Sequence, residues 1–459
     1  MNPPTIGQAE TSEAVSARRA GVRAAVFFLL ALIIRGAGIA AGTGAEAEGG
    51  RALSAPSLFP SGWAGFKKGL ADRGMTTGLT YLGEVFTDVA GGLRRGPVYI
   101  HNISLTMSLD LSKLAGWRGA TLFVYGMNIE GGDPGLHFGE IQTVSNIAAS
   151  NATRLYEAWI QQELFGGRLS LLAGLYDLNS EFDVVEAASV FQNSSQGIDP
   201  TFAFSGLNGP SIFPYTTLGF RARLKTGGFY LQSVILNGLA GDPADPDATR
   251  VVLRRGNGVL LAAEAGYHLP VARRRHRRQA VRESVSRYVP PSYADKIALG
   301  FWDYTARFAP VLPRPGEPAK IRGDTGLYVL LSHTVWRQDG ESGRNLTAFA
   351  RLGVANARLN RLGWFTGGGF SFTGLIPGRS GDIAGLAFAT AFNGDDYMRK
   401  AALEGSPVRR AEWNLDLTYQ ARLLSWLDLH PDVQFVIHPS MAPAVLNAFG
   451  FDIRVEIHL

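Results

Sequence analysis

The 459-residue chain contains no cysteine, few charged residues and only one markedly apolar run, near its start. The absence of cysteine excludes disulfides and cysteine-ligated metal sites. It does not decide the compartment, because an exported protein can do without disulfides. Charged residues make up 18% of the chain, and the composition does not suggest disorder. No later segment approaches the ~18 consecutive apolar residues of a membrane-spanning helix, so we expect none in the mature chain.

The usual arrangements of catalytic and ligand-binding residues are also missing. The eight histidines are dispersed and show no spacing typical of a metal site. The glycines at 367–369 lie in a predicted strand with no Lys-Ser/Thr after them, which excludes a P-loop. A Ser-His hydrolase is not favoured, because His101 falls on the apolar face of its strand and no serine partner can be identified. We therefore predict no enzyme activity, no cofactor and no metal.

The N-terminus has the layout of a secretory signal peptide. A basic region at 18–23 precedes the apolar run 24–34, and small residues at 45–47 form a candidate cleavage site. The apolar run is much shorter than the ~20 residues of a membrane span. A cleaved leader at 1–47 is therefore favoured over a membrane anchor.

Residues 48–76 are expected to form a periplasmic N-terminal segment. Within it, the pattern of 64–74 is typical of a short amphipathic helix that ends at Gly74. From Thr77 onward the pattern changes to short alternating segments bounded by Gly, Pro, Asn and Asp.

This period-two pattern predicts sixteen strands. They lie at roughly 77–87, 98–110, 119–128, 153–164, 167–177, 215–225, 228–237, 258–269, 295–308, 325–336, 344–355, 362–373, 382–392, 411–422, 427–438 and 446–458. Each is near the ~9–11 residues of a tilted membrane strand. Several long connections follow odd-numbered strands and several short turns follow even-numbered ones, as in outer-membrane barrels. The sequence therefore predicts an all-β fold, a transmembrane antiparallel β-barrel over 77–459. A soluble β-sandwich would also alternate, but charges on the second face fit a watery lumen better.

Two connections stand out. The connection 178–214 is longer than ordinary loops of compact domains, which indicates a functional role. In a barrel it can fold into the lumen as a constriction loop. The connection 270–294 would be a long periplasmic turn and contains RRRHRR at 273–278. A contact with anionic material is one interpretation, but a solvated turn is favoured; elsewhere basic residues are scattered, so nucleic-acid binding is not inferred.

The sequence resembles the carbohydrate-selective outer-membrane porins of the OprB family. The resemblance is carried by LYEAWIQQELFGGRLSLLAG (155–174), GLYDLNSEFDVVEAASVFQNSSQGI (174–198), SGLNGPSIFP (205–214), LGFRARL (218–224) and LDLHPDVQFVIHP (427–439). It extends from about Trp63 to the end and is most specific over 153–224. It implies a sixteen-stranded barrel that passes sugars by facilitated diffusion, in a family that occurs as trimers and as monomers. One departure is the ending Ile457-His458-Leu459, where such barrels usually carry an aromatic residue; we expect less efficient assembly.

A sugar presents hydroxyl groups and apolar C–H faces, so its binding needs planar polar side chains and an aromatic surface. The predicted pore-lining and substrate-contacting residues are Glu157, Trp159, Arg168, Asn179, Glu181, Asp183, Asn193, Arg221, Arg223, Asp416 and Arg454. Their mixed signs favour a transverse field over an ion-selective ring. Pairing with a carboxylate of the protein is the alternative role for each arginine. Anchoring of the connection is the alternative for Phe182 and Phe191.

We therefore predict an outer-membrane channel for facilitated diffusion of carbohydrates or similar small polar solutes. Two alternatives stay open, a non-selective diffusion pore and a barrel or sandwich scaffold that binds at the surface without transport. The expected partners are small carbohydrates, outer-membrane lipid, the outer-membrane assembly machinery and further copies of the chain. The sequence does not define which sugar is carried.

Overall fold

The computed structural model describes residues 63–242, 244–245, 247–269, 295–338 and 343–459. The predicted signal peptide (1–47) and the basic insertion (270–294) lie outside the described residues. The chain divides into two units, Met1–Thr77 and Gly78–Leu459. In the first unit, helix α1 (Trp63–Asp72) covers most of the predicted amphipathic helix.

In the described residues, sixteen strands form one closed antiparallel sheet. They are β1 Met75–Gly92, β2 Gly96–Asp110, β3 Ala120–Gly131, β4 Ala152–Leu164, β5 Leu169–Tyr176, β6 Thr217–Thr226, β7 Phe229–Asn237, β8 Val259–His268, β9 Lys296–Phe308, β10 Ile321–Arg337, β11 Asn345–Ala355, β12 Leu362–Thr373, β13 Ile383–Asn393, β14 Ala411–Leu424, β15 Leu427–Ile437 and β16 Leu446–His458. Neighbours in sequence pair with each other, and β1 pairs with β16, with Thr80 opposite His458. Closure leaves no edge strand, as a lipid environment requires. The predicted sixteen-stranded barrel is confirmed.

The strand alternation places polar side chains inside the barrel and apolar side chains outside. In β6, Phe220 is 48% exposed whereas the neighbouring Arg221 is 1% exposed. In β14, Leu417 is 56% exposed and Asp416 is fully buried. Because a soluble sandwich would bury the apolar face, this inversion excludes that alternative and fits an outer surface in contact with lipid.

Two strands are longer than their sequence pattern suggests, and both contain bulges. β1 continues past Thr87 to Gly92 through register shifts around Ala90. β10 begins at Ile321, and its register shifts beside Gly323, whose φ is 102°. The glycines that permit these bulges resemble turn residues in the sequence, which hides the ends of the strands.

Where the structure describes the connections, they contain only short helical pieces. They are α2 Leu111–Ala115, α3 Gly135–Phe138, α4 Ser194–Gly197, α5 Pro200–Ala203, α6 Asp395–Leu403 and 3₁₀ turns at Leu178–Ser180, Glu186–Ala188, Arg255–Asn257 and Pro439–Met441. Across the described ranges, no helix has the length and hydropathy that crossing a membrane would need. Two described connections make hydrogen bonds with inward-facing side chains of several strands, and we name them the β3–β4 segment (132–151) and the β5–β6 segment (177–216).

Candidate functional site

Aromatic side chains of the β5–β6 segment pack against the inner wall of the barrel. Phe202 stacks on Trp302 of β9, with ring centroids 5.1 Å apart and an interplanar angle of 5°. Phe191 lies 5.7 Å from Phe349 of β11. All four rings are buried, as is Phe182. Phe182 and Phe191 therefore anchor the segment rather than offering a surface to solute.

A buried ion pair fixes the same segment to β11. Asp183 accepts a hydrogen bond from Arg351 at 2.8 Å, and both side chains are almost completely buried. Arg351 also donates to the backbone carbonyl of Ser195 at 3.0 Å. Burial raises the pKa of the Asp183 carboxyl although the Arg351 charge opposes the shift. We name Asp183 and Arg351 the buried tether.

Further hydrogen bonds extend the tether to β8. The backbone N–H of Asp183 donates to Glu264 at 2.9 Å, and Tyr230 and Tyr328 donate to the same carboxylate at 2.6 and 2.7 Å. The backbone N–H of Asp199 donates to Asp183 at 2.7 Å. Burial, and then the charge of Asp183, raise the pKa of Asp199. The segment is thus held by strands on more than one side.

Asn193 joins the β5–β6 segment to β14 and to the other inserted connection. Its backbone N–H donates to Asp416 at 3.3 Å, and its side-chain amide donates to the carbonyl of Gln142 at 2.8 Å. Asn193 and Asp416 are both fully buried. These two predicted site residues therefore link the β5–β6 segment to β14.

One carboxylate of β14 accepts several hydrogen bonds from the backbone of the β3–β4 segment. Glu412 accepts the backbone N–H groups of Ile141 and Gln142 at 2.9 and 2.8 Å, and that of Ser440 at 2.5 Å. Glu140 lies beside it; burial, with a smaller contribution from the Glu412 charge, raises the pKa of Glu140 to about 8. No pattern in the residues of this connection indicates that it folds against the inner wall.

The two segments also bind each other and the closing strands. The backbone N–H of Asn146 donates to the carbonyl of Gln192 at 2.8 Å. The Asn146 side chain accepts a hydrogen bond from Arg454 at 2.8 Å. Arg454 is buried and pairs with Glu84 of β1 at 2.7 Å. Arg454 therefore links β16, β1 and the β3–β4 segment.

A less buried cluster lies where the β5–β6 segment meets β5 and β6. Glu181 accepts hydrogen bonds from Tyr176 at 2.6 Å, from Arg221 at 2.7 Å and from Arg223 at 2.6 Å. Arg221 also donates to the hydroxyl of Ser170 at 2.8 Å. The side chains of Glu181 and Arg223 are 17% and 22% exposed, whereas that of Arg221 is 1% exposed. We name Glu181, Arg221 and Arg223 the open cluster.

A small cavity of about 60 Å³ lies beside the open cluster. Its other lining side chains include Gln161, Glu163, Ser170 and Lys225. Hydroxyl, amide, carboxylate, guanidinium and ammonium groups thus meet in one place. Such a set can both donate to and accept from hydroxyl groups.

A β-bulge in β4 determines where Glu157 points. Tyr125 pairs with Glu157 whereas the next residue, Gly126, pairs with Leu155, so Tyr156 is the extra residue. Tyr156 and Glu157 are consequently both buried. Glu157 accepts hydrogen bonds from the backbone of Asp177 at 2.9 Å and from the indole of Trp159 at 3.3 Å. The half-buried Trp159 stacks on Phe123 at 4.8 Å.

Arg168 and Asn179 are the remaining predicted site residues. Arg168 is exposed in the turn between β4 and β5, and its carbonyl accepts the backbone N–H of Lys225 at 2.8 Å. Asn179 donates to the carbonyls of Phe182 and Gly197 at 3.0 and 3.2 Å, which shapes the β5–β6 segment.

Several contact residues were missed by sequence reasoning. They are Glu84, Glu264, Arg351 and Glu412, all charged and all on the inward face of their strands. Their position in the alternation was a usable signal, because a charge inside a barrel needs a partner. Their partners in the two segments could not be read from the sequence.

One group in the described part of the chain could supply three metal ligands, Asp428, Glu456 and His458. Arg422 already donates to both oxygens of Asp428 at 2.9 Å. Gln420 donates to Glu456 at 3.0 Å. These contacts describe an ion-pair network at the ends of β14–β16.

Comparisons with known proteins agree with this architecture. Residues 94–459 match the sequence model of the carbohydrate-selective porin, OprB family. Porin B of Pseudomonas aeruginosa is 24% identical over 462 residues, covering 91% of this chain and 95% of that protein. A high-pH structure of Pseudomonas putida OprB has a TM-score of 0.73 at 20% identity, covering 87% of this chain and 97% of that one. A low-pH structure of the same porin has a TM-score of 0.54 at 17% identity, with the same coverage.

At these identities the two structures show the fold alone, whereas the family model spans most of the chain. The chain therefore belongs to the OprB family of carbohydrate-selective porins: it is an outer-membrane channel for carbohydrates and not an enzyme, as the sequence predicted.

Proposed function

We propose that sugars diffuse along the inner wall formed by β4, β5 and β6, past the open cluster. The observation that carries this proposal is the polar cavity beside Glu181 and Arg223. In that cavity partly exposed donors and acceptors lie together. The β3–β4 and β5–β6 segments, tied to inward-facing side chains, narrow the rest of the lumen.

The predicted site residues divide into two roles in this proposal. Glu181 accepts hydrogen bonds from sugar hydroxyls, and Arg223 donates to them. Trp159 offers an aromatic face to the C–H groups of the ring, and Glu157 orients Trp159. Contacts stay weak, because a pore that holds its solute tightly does not conduct it.

The second role is support of the narrowed lumen. Asp183, Asn193, Asp416 and Arg454 hold the two segments and are themselves buried. Arg221 donates hydrogen bonds to Glu181 from a buried position. Asn179 stabilises the conformation of the β5–β6 segment through its hydrogen bonds to backbone carbonyls. Arg168 has neither role.

The proposal includes the route to the membrane. The leader at 1–47 is cleaved on export, the assembly machinery inserts the barrel, and the outward apolar face contacts lipid. Cross-linking in the membrane tests whether copies of the chain associate.

Single-channel conductance in a planar bilayer, titrated with glucose, tests the sugar path. We expect stepwise conductance that glucose reduces. Arg223→Gln should raise the half-blocking glucose concentration about five-fold, the size of a partly exposed charged hydrogen bond. Arg168→Gln is the matched control and should behave as the unmodified channel.

Three results would contradict the proposal in different ways. If sugars do not change the conductance, the protein acts as a non-selective diffusion pore. If the folded protein shows no conductance, the interpretation as a scaffold applies. Equal effects of Arg223→Gln and Arg168→Gln would place the sugar path along another wall.

A further inference from the structure

The cavity beside the open cluster has an excess of positive charge. Three cationic residues follow one another on the inward face of β6, namely Arg221, Arg223 and Lys225. Only two carboxylates line the same cavity, Glu163 and Glu181. Glu181 already pairs with both arginines. Three cationic groups therefore face two carboxylates, and one positive charge is not neutralised locally.

Two cationic donors at the cavity are without partners in the described structure. The Nε of Arg223 is buried and makes no hydrogen bond. The ammonium group of Lys225 forms no ion pair or hydrogen bond with any described residue, Glu163 included. The ammonium group of Lys225 is the accessible one of the two, so a ligand that supplies a negatively charged acceptor to it gains a charge-assisted hydrogen bond.

The free groups at this place are cationic donors, and this selects the chemistry of the ligand. A neutral hydroxyl would satisfy one donor but leave the positive charge. A carboxylate supplies two acceptor oxygens and the missing negative charge, in charge-assisted hydrogen bonds that are stronger than neutral ones. The small volume accepts such a group while the polyhydroxylated remainder stays along the open side of the wall.

We propose that the cavity binds the carboxylate of acidic sugars, such as aldonates and uronates, so that the channel passes these anions as well as neutral sugars. This inference rests on the proposed sugar path and adds a substrate class to it. Lys225 contacts the carboxylate, and Glu181, Gln161 and Ser170 lie beside its first hydroxyl groups.

The test compares sodium gluconate with glucose in the planar bilayer, at constant ionic strength with chloride as the replaced anion. Gluconate differs from glucose mainly by its carboxylate and open chain, and glucuronate, which can close a pyranose ring, checks the effect of the ring. We expect both acids to block at concentrations about five-fold lower than glucose, as a partly exposed ion pair would give.

Lys225→Gln should raise the ratio of the gluconate to the glucose half-blocking concentration back towards one. Lys225→Glu should raise it above one. Lys320→Gln, which removes an exposed lysine in the β9–β10 connection, is the matched control and should leave the ratio unchanged. Heat-modifiable mobility on SDS gels verifies that each variant is folded.

The outcomes separate the two proposals. If glucose does not block the unmodified channel, the sugar path itself fails. If glucose blocks but gluconate blocks no better, or if Lys225→Gln and Lys320→Gln give the same ratio, the acidic-sugar site fails while the path stands. Phosphate is the probe for a general anion site. If phosphate competes with gluconate at the same concentration at which gluconate itself blocks, the cavity is a general anion site and the assignment to acidic sugars is overturned.

Discussion

Glu181 and Asp183 are separated by one residue, and each pairs with arginine, yet their surroundings differ. Asp183 and Arg351 are almost completely buried and reach the backbone of the β5–β6 segment. Glu181 is partly exposed and shares its oxygens between Arg221 and Arg223 beside a cavity. The same ion-pair chemistry therefore supports the architecture at one residue and lies partly exposed beside a cavity two residues away.

Burial decides this difference. A buried ion pair has little net effect when complete, but removing one partner leaves an uncompensated charge away from water. A partly exposed pair can exchange a protein partner for a solute hydroxyl at small cost. Substitutions in the buried tether should therefore mainly lower the stability of the protein. Substitutions in the open cluster should mainly change transport.

The largest expected effect comes from breaking the buried tether. Arg351→Met leaves Asp183 buried without its cation and should lower the free energy of unfolding by about 3–5 kcal/mol. The β5–β6 segment should become accessible to protease, and the ion conductance should rise as the lumen widens. Thermal unfolding in detergent, limited proteolysis and conductance measure these changes. An unchanged unfolding temperature would show that the tether does not hold the segment.

A smaller effect is expected from the open cluster. Glu181→Gln removes the charge shared by two arginines, and the half-blocking glucose concentration should rise about ten-fold, in the range of a hydrogen bond to a charged group. Its effect on unfolding should be well below that of Arg351→Met. If Glu181→Gln destabilised the fold as much as Arg351→Met, the distinction between the two groups would fail.

The β3–β4 segment should respond to pH. The pKa of Glu140 is raised to about 8, so between its ordinary value near 4.5 and pH 8 the folded protein holds a proton that the unfolded chain releases. The contribution of Glu140 to stability therefore falls as pH rises through this window, by at most about 1.4 kcal/mol per pH unit, and is constant above it.

Thermal unfolding at intervals from pH 5 to pH 9 measures this slope, and Glu140→Gln should make it shallower, because the raised pKa of Asp199 adds a slope of the same sign. The same slope in the variant and the unmodified protein would assign the pH dependence to other groups.

The smallest expected effect concerns the aromatic surface of Trp159. Trp159→Phe keeps a ring in place but loses the hydrogen bond to Glu157, and glucose block should change by less than about two-fold. Trp159→Ala removes the surface and should weaken block by about five-fold, within the range of an aromatic contact. Equal effects of the two variants would mean that the hydrogen bond, and not the ring, matters.

The barrel was predictable because its strands alternate with a period of two. That period also placed Arg221, Arg223, Asp416 and Arg454 on the inward face. It did not by itself reveal the bulge that turns both Tyr156 and Glu157 inward, since an extra residue in a strand leaves no clear pattern.

The partners of the inward residues were not predictable in the same way. Ile141 and Glu412 are about 270 positions apart, and nothing local in 132–151 indicates where this connection packs. The length of 178–214 suggested an insertion, but not that Asp183 would be buried and Glu181 partly open. Those differences come from tertiary contacts, which the spacing of residues along one strand does not encode.

The pairing of β1 with β16 also sets an order of events during biogenesis. The earliest strand to leave the ribosome needs the latest as its neighbour, so the ring cannot be completed while synthesis is under way. Until then, the free side of β1 is open to pairing with another chain. The topology therefore leaves that side of β1 without its partner until β16 has been synthesised.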